Sequence, residues 1–512
     1  MDPFQSTPPT EPFLQHEDSD STNSADSGKP KGYAGFAWLG IITLVMVIIG
    51  AKYLQAEAEE EGAPVADEMG ELMMKLQSRL LLGSNELEEG GSGEILVQAE
   101  EMLNVGSVGQ RQRFVILASE LAGPFEARNT LEILESEIAN PPKGKPPLLT
   151  TDQEELQELL NKLYGNATED EPDEAHLARI EALSADDRQS LIRCADWFGE
   201  LALVPPETKA SAEREAITAP AQRIAITMFI TFILVLIVGF FGFVGLVLVG
   251  VLTAVGKIKS RIELAGRYHG IYAETFALWL LCFFVLQIAV QLIVAALPAM
   301  NDHLLFISFI AFICSLALLA WPVWRGISWS EVRHDIGWTT DRLRGLEPIL
   351  GIGGYIMTLP ILAIGVLLLF ALIALQALTT GESDTFAAAG GPAHPIINNL
   401  ANGDLWTYIQ VYLVASVGAP IVEETMFRGV LYQHLRSASR HMGVIVSILL
   451  STLLNTFVFA AIHPQGWIAI PALMSLAIGF TLMREWRGTI IPSILMHGIN
   501  NALVMTLLMI ML

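Results

Sequence analysis

The sequence predicts an all-α fold: a polytopic membrane helix bundle of about nine transmembrane helices with an acidic helical soluble domain. The 512-residue chain is 52% hydrophobic and 16% charged, which is too apolar for an ordinary soluble protein of this length. Its apolar residues are gathered into runs of about 20 residues, the length needed to cross a bilayer. Its acidic residues lie mostly in two polar stretches, residues 1–28 and 55–220, which explains the net charge of -24.

The apolar runs predict nine membrane helices. They lie near residues 36–54, 224–252, 273–298, 304–324, 349–376, 405–427, 443–462, 467–483 and 489–511. The first run is predicted to be an uncleaved anchor, because a long acidic and polar segment precedes it, whereas a signal peptide starts with a short basic region.

Basic residues predict the orientation, since they collect beside the cytoplasmic ends of membrane helices. They occur in every second loop, at Lys29 and Lys31, at Lys257, Lys259 and Arg261, at Arg333, Arg342 and Arg344, at Arg436 and Arg440, and at Arg484 and Arg487. The alternating loops at 301–303, 379–404 and 464–467 contain no Lys or Arg. This pattern predicts an N-terminus inside and a C-terminus outside, with residues 55–220 outside as well.

These features predict a domain layout in five parts. They are a disordered acidic tail (1–32), a transmembrane anchor (33–54), a helical soluble domain (55–220), transmembrane helices two to four with their loops (221–345) and a membrane core (346–512). In the soluble domain, Leu156, Leu159, Leu160 and Leu163 recur at the spacing of an amphipathic helix. A packed bundle without catalytic residues is the simpler interpretation of this domain, and a substrate-recruiting or adaptor domain that binds a protein partner is the alternative.

Composition excludes several kinds of partner and site. The strong negative charge argues against nucleic acid as a partner. The three cysteines, Cys194, Cys282 and Cys314, show no paired spacing and predict neither a disulfide framework nor a thiolate metal site.

Ionisable residues inside the late apolar runs are the candidates for chemistry. Such groups cost roughly 2.5 to 3.5 kcal/mol each on insertion scales and mark functional sites by default. The cluster consists of Glu423, Glu424, Arg428, His463 and His497, with Asn500 and Asn501 beside the last histidine.

Helical spacing predicts how these groups meet. Glu424 and Arg428 are four residues apart and can form an ion pair, which leaves Glu423, about 100° away, for another task. Counted from the turn at Met442, Glu423 and His463 reach similar levels in an antiparallel pair. His497 counts to a level nearer the cytoplasm, so helix tilt decides whether it joins them.

Each feature also has a simpler interpretation when taken alone. A Glu–Arg pair is often a solvated anchor at the membrane interface, and a histidine before a proline often ends a helix. His497 and Asn501 share a helix face and can be polar contacts between helices. The coincidence of all three within one part of the chain favours a functional site.

At these residues the sequence resembles the CAAX protease and bacteriocin-processing family of intramembrane proteases, which includes the type II CAAX prenyl endopeptidases. The family pattern is Glu-Glu-x-x-x-Arg, Phe-x-x-x-His and His-x-x-x-Asn, matched here by Glu423-Glu424 to Arg428, Phe459 to His463 and His497 to Asn501. The resemblance covers about residues 405 to 505. It implies that Glu423 and His463 activate a water, that Glu424 and Arg428 brace the site, and that His497 and Asn501 stabilise an oxyanion.

The predicted function is therefore an intramembrane endopeptidase in a multi-pass membrane protein, expected in the inner membrane of a bacterial cell. Its expected partners are membrane lipid and a membrane-associated peptide or protein substrate. A divalent metal such as zinc, bound by His463 and His497, is compatible with these residue types, as is metal-free glutamate chemistry. The competing hypotheses are a catalytically silent scaffold or immunity-type protein of the same fold, and a transporter, although the repeat symmetry of transporters is not evident.

Overall fold

The computed structural model describes residues 31–61, 68–85, 92–140, 148–208, 211–266, 268–340, 345–380 and 403–511. Within these ranges the regular secondary structure is helical, as predicted. The predicted acidic tail, except for its last two residues, and most of the predicted loop 379–404 lie outside the described residues.

The first nine helices are the apolar helix α1 and eight helices within residues 68–202. They are α1 (Ala34–Glu61), α2 (Glu68–Asn85), α3 (Ser92–Leu103), α4 (Val108–Ala122), α5 (Pro124–Ala139), α6 (Thr151–Tyr164), α7 (Asp173–Glu181), α8 (Ala185–Ala195) and α9 (Trp197–Ala202). Capping boxes at Ser107, Thr150 and Ser184 start α4, α6 and α8, because each hydroxyl accepts the N3 amide and the N3 side chain returns the bond. The predicted amphipathic leucines of α6 are buried in one apolar core shared by α2–α9.

Ten helices follow. They are α10 (Ala212–Ala254), α11 (His269–Ala296), α12 (Leu304–Ser315), α13 (Ala320–Trp324), α14 (Trp329–Asp335), α15 (Glu347–Thr380), α16 (Leu405–Ala438), α17 (Val444–Ile462), α18 (Ile470–Arg487) and α19 (Ile491–Met511). The bounds of α16 include two π-helical stretches, described below.

Among the described residues, eight segments are long and apolar enough to cross a membrane, where the sequence predicts nine. They are Ala34–Ala51, Ala212–Ala254, His269–Ala296, Ala299–Trp324, Glu347–Gln376, Leu405–Ala438, Val444–Ile462 and Ile491–Ile510. The predicted segment 467–483 is helix α18, which has 18 residues but carries Arg484, Glu485 and Arg487 in its last turn. It packs against α15 and α17 inside the bundle, so its charges are buried among neighbouring helices rather than exposed to lipid. The chain is thus a multi-pass membrane protein with a helical bundle fold.

Helix α10 joins the two parts of the molecule. Its 43 residues extend for about 65 Å at 1.5 Å per residue. Near its start, Arg214 forms a buried ion pair with Glu120 and a 2.8 Å hydrogen bond to the Val204 carbonyl. Further along, Gly242 packs directly against the backbone of Ile356 in α15. The helix begins inside the predicted soluble domain and continues into the membrane bundle without a break.

Contacts between loops and helix ends fall into two layers. In the layer that the basic residues predict to be cytoplasmic, Arg487 binds Glu347 through bonds of 2.6 and 3.1 Å, and Arg436 binds Glu485 through bonds of 2.9 and 3.1 Å. In the opposite layer, Trp406 donates to His303 at 3.1 Å. The charged last turn of α18 therefore belongs to the first of these layers.

Candidate active site

Helix α16 positions both predicted glutamates, and it is not a uniform α-helix. Two stretches, Leu413–Gly418 and Glu424–Leu431, are π-helical. At the end of each stretch the amide bonds a carbonyl five residues earlier: that of Ala419 to Val414 and that of Tyr432 to Phe427. Glu423 lies immediately before the second stretch. Such π segments occur frequently at functional sites.

The predicted ion pair between Glu424 and Arg428 is present. Arg428 NH1 lies 3.0 Å from Glu424 Oε1, and both side chains are fully buried. The guanidinium also lies over two aromatic rings, 4.4 Å from the centroid of Phe459 and 5.4 Å from that of Phe480. A cation over a ring face gains electrostatic stabilisation, and more when it is desolvated, so this arginine is held on two sides.

Glu424 has a second partner, which the sequence did not indicate. His497 Nδ1 lies 2.9 Å from Glu424 Oε1, and because a carboxylate only accepts, the ring nitrogen donates. The ring of His497 stacks on Phe480 at a centroid distance of 5.3 Å and an interplanar angle of 23°. Glu424 is therefore a shared anchor for one arginine and one histidine.

Glu423 faces both histidines. Its Oε2 atom lies 3.7 Å from His463 Nε2 and 3.9 Å from His497 Nε2. His463 donates its other nitrogen, Nδ1, to the Phe459 carbonyl at 2.5 Å, one turn earlier in α17. Both rings thus present Nε2 to the same carboxylate oxygen, which is buried and has no hydrogen-bond partner among the described residues.

Asn501 is placed somewhat differently from the other predicted residues. Its Nδ2 donates to the carbonyl of Ala415 at 2.7 Å, and its Oδ1 accepts from Asn500 at 3.1 Å. The amide joins α19 to the first π stretch of α16. The structure thus brings Glu423, Glu424, Arg428, His463 and His497 together and attaches Asn501 to the backbone beside them.

The predicted zinc site fits in donor type but not in spacing. Both Nε2 atoms face Glu423, and both Nδ1 atoms donate to a carboxylate or a carbonyl, as the second nitrogen of a metal-bound histidine usually does. A metal ion needs ligand atoms that lie close to one another. Among the described residues, three such atoms within 4.8 Å of one another occur at Asp152, Glu155 and Cys194, which are outside this site. The Glu423, His463 and His497 atoms do not close around one ion, so this geometry gives no support to the metalloprotease prediction.

Three further side chains support the site. Asn455 donates to the Phe427 carbonyl at 2.9 Å, Arg484 donates to the Arg428 carbonyl at 3.3 Å, and the Phe480 ring contacts both the Arg428 guanidinium and the His497 ring. The sequence offered a signal for the two polar ones, since both lie in otherwise apolar helices. Nothing in the pattern distinguished Phe480 from a lipid-facing phenylalanine.

Comparison with known proteins identifies this region. A family model described as Type II CAAX prenyl endopeptidase Rce1-like matches residues 405–503. No curated protein and no solved structure matches the chain. The matched residues include all six predicted site residues and the helices that carry them. The resemblance seen in the motifs is thus confirmed for residues 405–503, which form an Rce1-like segment, similar to a family of proteases, within this multi-pass membrane protein.

Proposed function

We propose that residues 405–503 form the active site of an intramembrane endopeptidase that hydrolyses a peptide bond with a water activated by Glu423 and His463. The observation that carries the proposal is the unlike environment of two adjacent carboxylates. Glu424 is bound by Arg428 and His497, whereas Glu423 Oε2 lies opposite two histidine nitrogens without a direct hydrogen bond. Because Glu424 is held by two donors on its Oε1 atom, Glu423 is the carboxylate better placed to take a proton from a water.

The distances favour a water between these groups. At 3.7 and 3.9 Å, Glu423 and the two Nε2 atoms are too far apart for strong direct hydrogen bonds, which need about 2.7 to 3.2 Å. Polar groups separated by more than about 3.5 Å are commonly bridged by water. Because His463 Nδ1 donates to a carbonyl, the neutral ring has an accepting Nε2, which would orient such a water.

Proton transfer then follows from the side chains. Glu423 takes one proton from the water as the water oxygen attacks the carbonyl carbon of the substrate. His463 Nε2 accepts a hydrogen bond from the second water proton. Glu423 then delivers its proton to the leaving nitrogen as the C–N bond breaks. A carboxylate used first as base and then as acid is regenerated unchanged.

The negative oxygen of the tetrahedral intermediate needs a donor. Arg428 balances the charge of Glu424, so a protonated His497 would balance that of Glu423. In that state Nδ1 donates to Glu424, and Nε2 carries a proton toward the site. The Asn501 amide, with one N–H bound to Ala415, retains a second N–H that adds to this oxyanion site.

The proposed substrate is a membrane-associated peptide or protein, because the catalytic groups lie on helices that cross the membrane among bilayer lipids. The location in the inner membrane of a bacterial cell belongs to the same proposal.

The test compares peptide termini in membranes from cells expressing the wild-type protein, Glu423→Gln or Glu263→Gln. Glutamine keeps the shape of Glu423 but cannot accept the proton, so cleavage should fall by about 10² to 10⁴. Glu263 has a side chain that is 79% exposed and serves as the matched control. Termini present with the wild type and the control, but absent with Glu423→Gln, support the proposal. Identical termini in all three samples would overturn it and favour the silent scaffold.

A chelator added to purified protein with the identified substrate tests the metal question. Cleavage should persist, because the ligand atoms do not close around one ion. Loss of cleavage, with recovery on addition of a divalent cation, would instead make His463 and His497 metal ligands.

A further inference from the structure

The two π stretches of α16 end in the same way. The amide of Ala419 bonds the carbonyl of Val414, so it bypasses the carbonyl of Ala415, which it would bond in an α-helix. Tyr432 repeats this pattern at the second stretch. Its amide bonds the carbonyl of Phe427 and bypasses that of Arg428.

Each bypassed carbonyl receives a side-chain donor from another helix. Asn501 of α19 donates to the Ala415 carbonyl at 2.7 Å, and Arg484 of α18 donates to the Arg428 carbonyl at 3.3 Å. A buried carbonyl without a hydrogen-bond partner destabilises the fold. The two donors therefore remove the penalty that would otherwise favour a return of each stretch to the α-helical pattern.

Arg484 differs from the charged residues that follow it. Glu485 and Arg487 are each held in a buried ion pair, whereas the hydrogen bonds of Arg484 go to two backbone carbonyls. The second is that of Asp335, at 2.8 Å. The side chain is 1% exposed, and a Cβ atom at Gly337 would lie 2.6 Å from its Cζ atom. The absence of a side chain at Gly337 thus leaves space for the buried Arg484 guanidinium, which hydrogen-bonds to backbone carbonyls.

We propose that Arg484 is a positioning residue: by binding the Arg428 carbonyl, it holds the Glu424–Leu431 stretch in its π-helical form and thereby directs Glu423 and Glu424 toward the two histidines. Return to an α-helix would rotate the residues before this stretch, relative to those after it, by about 100°, the turn of one α-helical residue. Glu423 would then face away from His463.

The inference deepens the proposed function, and its activity readout rests on that function. A second readout, amide hydrogen exchange, is independent of the proposed activity. Amide hydrogen exchange reports local opening of helical hydrogen bonds whether or not the protein is an enzyme. The two measurements together separate failure of this inference from failure of the proposed activity.

The experiment uses the full chain in lipid nanodiscs and three variants. Arg484→Met keeps an apolar stem and loses the donors, and Arg484→Lys retains a donor. The control, Glu347→Leu with Arg487→Leu, removes both partners of a buried ion pair, one of them in the same helical turn as Arg484. Thermal stability, exchange in peptides covering residues 424–432, and kcat and KM for the cleaved substrate are measured for each.

For Arg484→Met we expect kcat to fall by about 10²-fold or more, because Glu423 would no longer be placed as the base, with KM nearly unchanged. Exchange should rise in residues 424–432 but not in residues 444–462. Arg484→Lys should restore most of both properties, and the control should change neither.

Unchanged exchange and kcat in a folded Arg484→Met protein would overturn the inference. So would exchange that rises equally in residues 444–462, since that shows general destabilisation. If Arg484→Met does not fold, Arg484→Leu, which also lacks a donor, takes its place with the same criteria. A wild-type protein without cleavage would contradict the proposed function, and the exchange data would still decide the role of Arg484.

Discussion

Glu423 and Glu424 are adjacent in sequence, but their surroundings differ because consecutive residues of a helix point in different directions. The Glu424 side chain is fully buried and bound by Arg428 and His497, while the Glu423 side chain is 15% exposed and faces two histidines across a gap. In the proposed mechanism, Glu424 supports the site and Glu423 takes part in the chemistry.

Replacement of Arg428 should therefore affect folding before it affects chemistry. Arg428→Ala leaves Glu424 with His497 alone and removes the cation from two aromatic rings. Breaking a buried pair by removing one partner costs about 3 to 5 kcal/mol. We expect lower expression and a lower melting temperature of the purified protein.

The control for that prediction is Arg193→Ala in the soluble helices. Arg193 pairs with Asp152 and Glu155, but its side chain is 51% exposed, so its loss should cost about 1 kcal/mol or less. Equal stability of Arg428→Ala and wild type would contradict the buried ion pair.

At the scale of the helix, the π stretches explain which parts of the site could be predicted. The Glu424–Arg428 contact needed only local spacing, because residues four apart stay neighbours on a helix surface. The hydrogen bonds from Asn501 and Arg484 to α16 could not be predicted. Nothing in the sequence of α16 indicates that a backbone amide will bond the carbonyl five residues earlier. That choice depends on donors contributed by α18 and α19.

Helices α10 and α15 pack closely at a glycine. In α10, a Cβ atom at Gly242 would lie 2.1 Å from the Ile356 carbonyl oxygen, whereas Gly239 and Gly250 have open space around the same position. Small residues let membrane helices approach closely.

Gly242→Leu should thus separate α10 from α15 and lower stability by about 1 to 3 kcal/mol or more, the cost of overpacking. Gly239→Leu and Gly250→Leu should be nearly neutral. Melting temperatures of the three purified variants provide the measurement. If all three melt together, the contact between α10 and α15 does not stabilise the fold.

Across the whole molecule, basic loops and helix contacts describe the same two layers. Lys257, Arg440 and the pairs at Arg487 and Arg436 belong to the predicted inner layer, and His303 and Trp406 to the opposite one. Which layer faces the cytoplasm stays a prediction.

Cysteine labelling from outside intact cells tests this topology, after replacement of the three native cysteines. Residues Asp170, Asn301 and Trp467 are exposed and predicted outside, so Asp170→Cys, Asn301→Cys and Trp467→Cys should label. His441 is exposed and predicted inside, so His441→Cys should label only after permeabilisation. The reverse pattern would invert the topology, and labelling at Asp170 and Asn301 without Trp467 would contradict the predicted crossing of α17.

The sequence by itself determined the membrane class, the order of the helices, the helical segment between the first two apolar helices, and which ionisable residues form the candidate site. Those properties depend on apolar run length, on local spacing and on motifs, all of which are readable along the chain. Only the tertiary structure decided that His497 binds Glu424, that Phe480 contacts both Arg428 and His497, and that Arg484 donates to the backbone of α16. It also showed that the charged end of α18 is buried in ion pairs and backbone bonds rather than exposed to lipid. Most of these contacts join residues 49 to 149 positions apart, so their geometry depends on how helices tilt and pack, which no local pattern encodes.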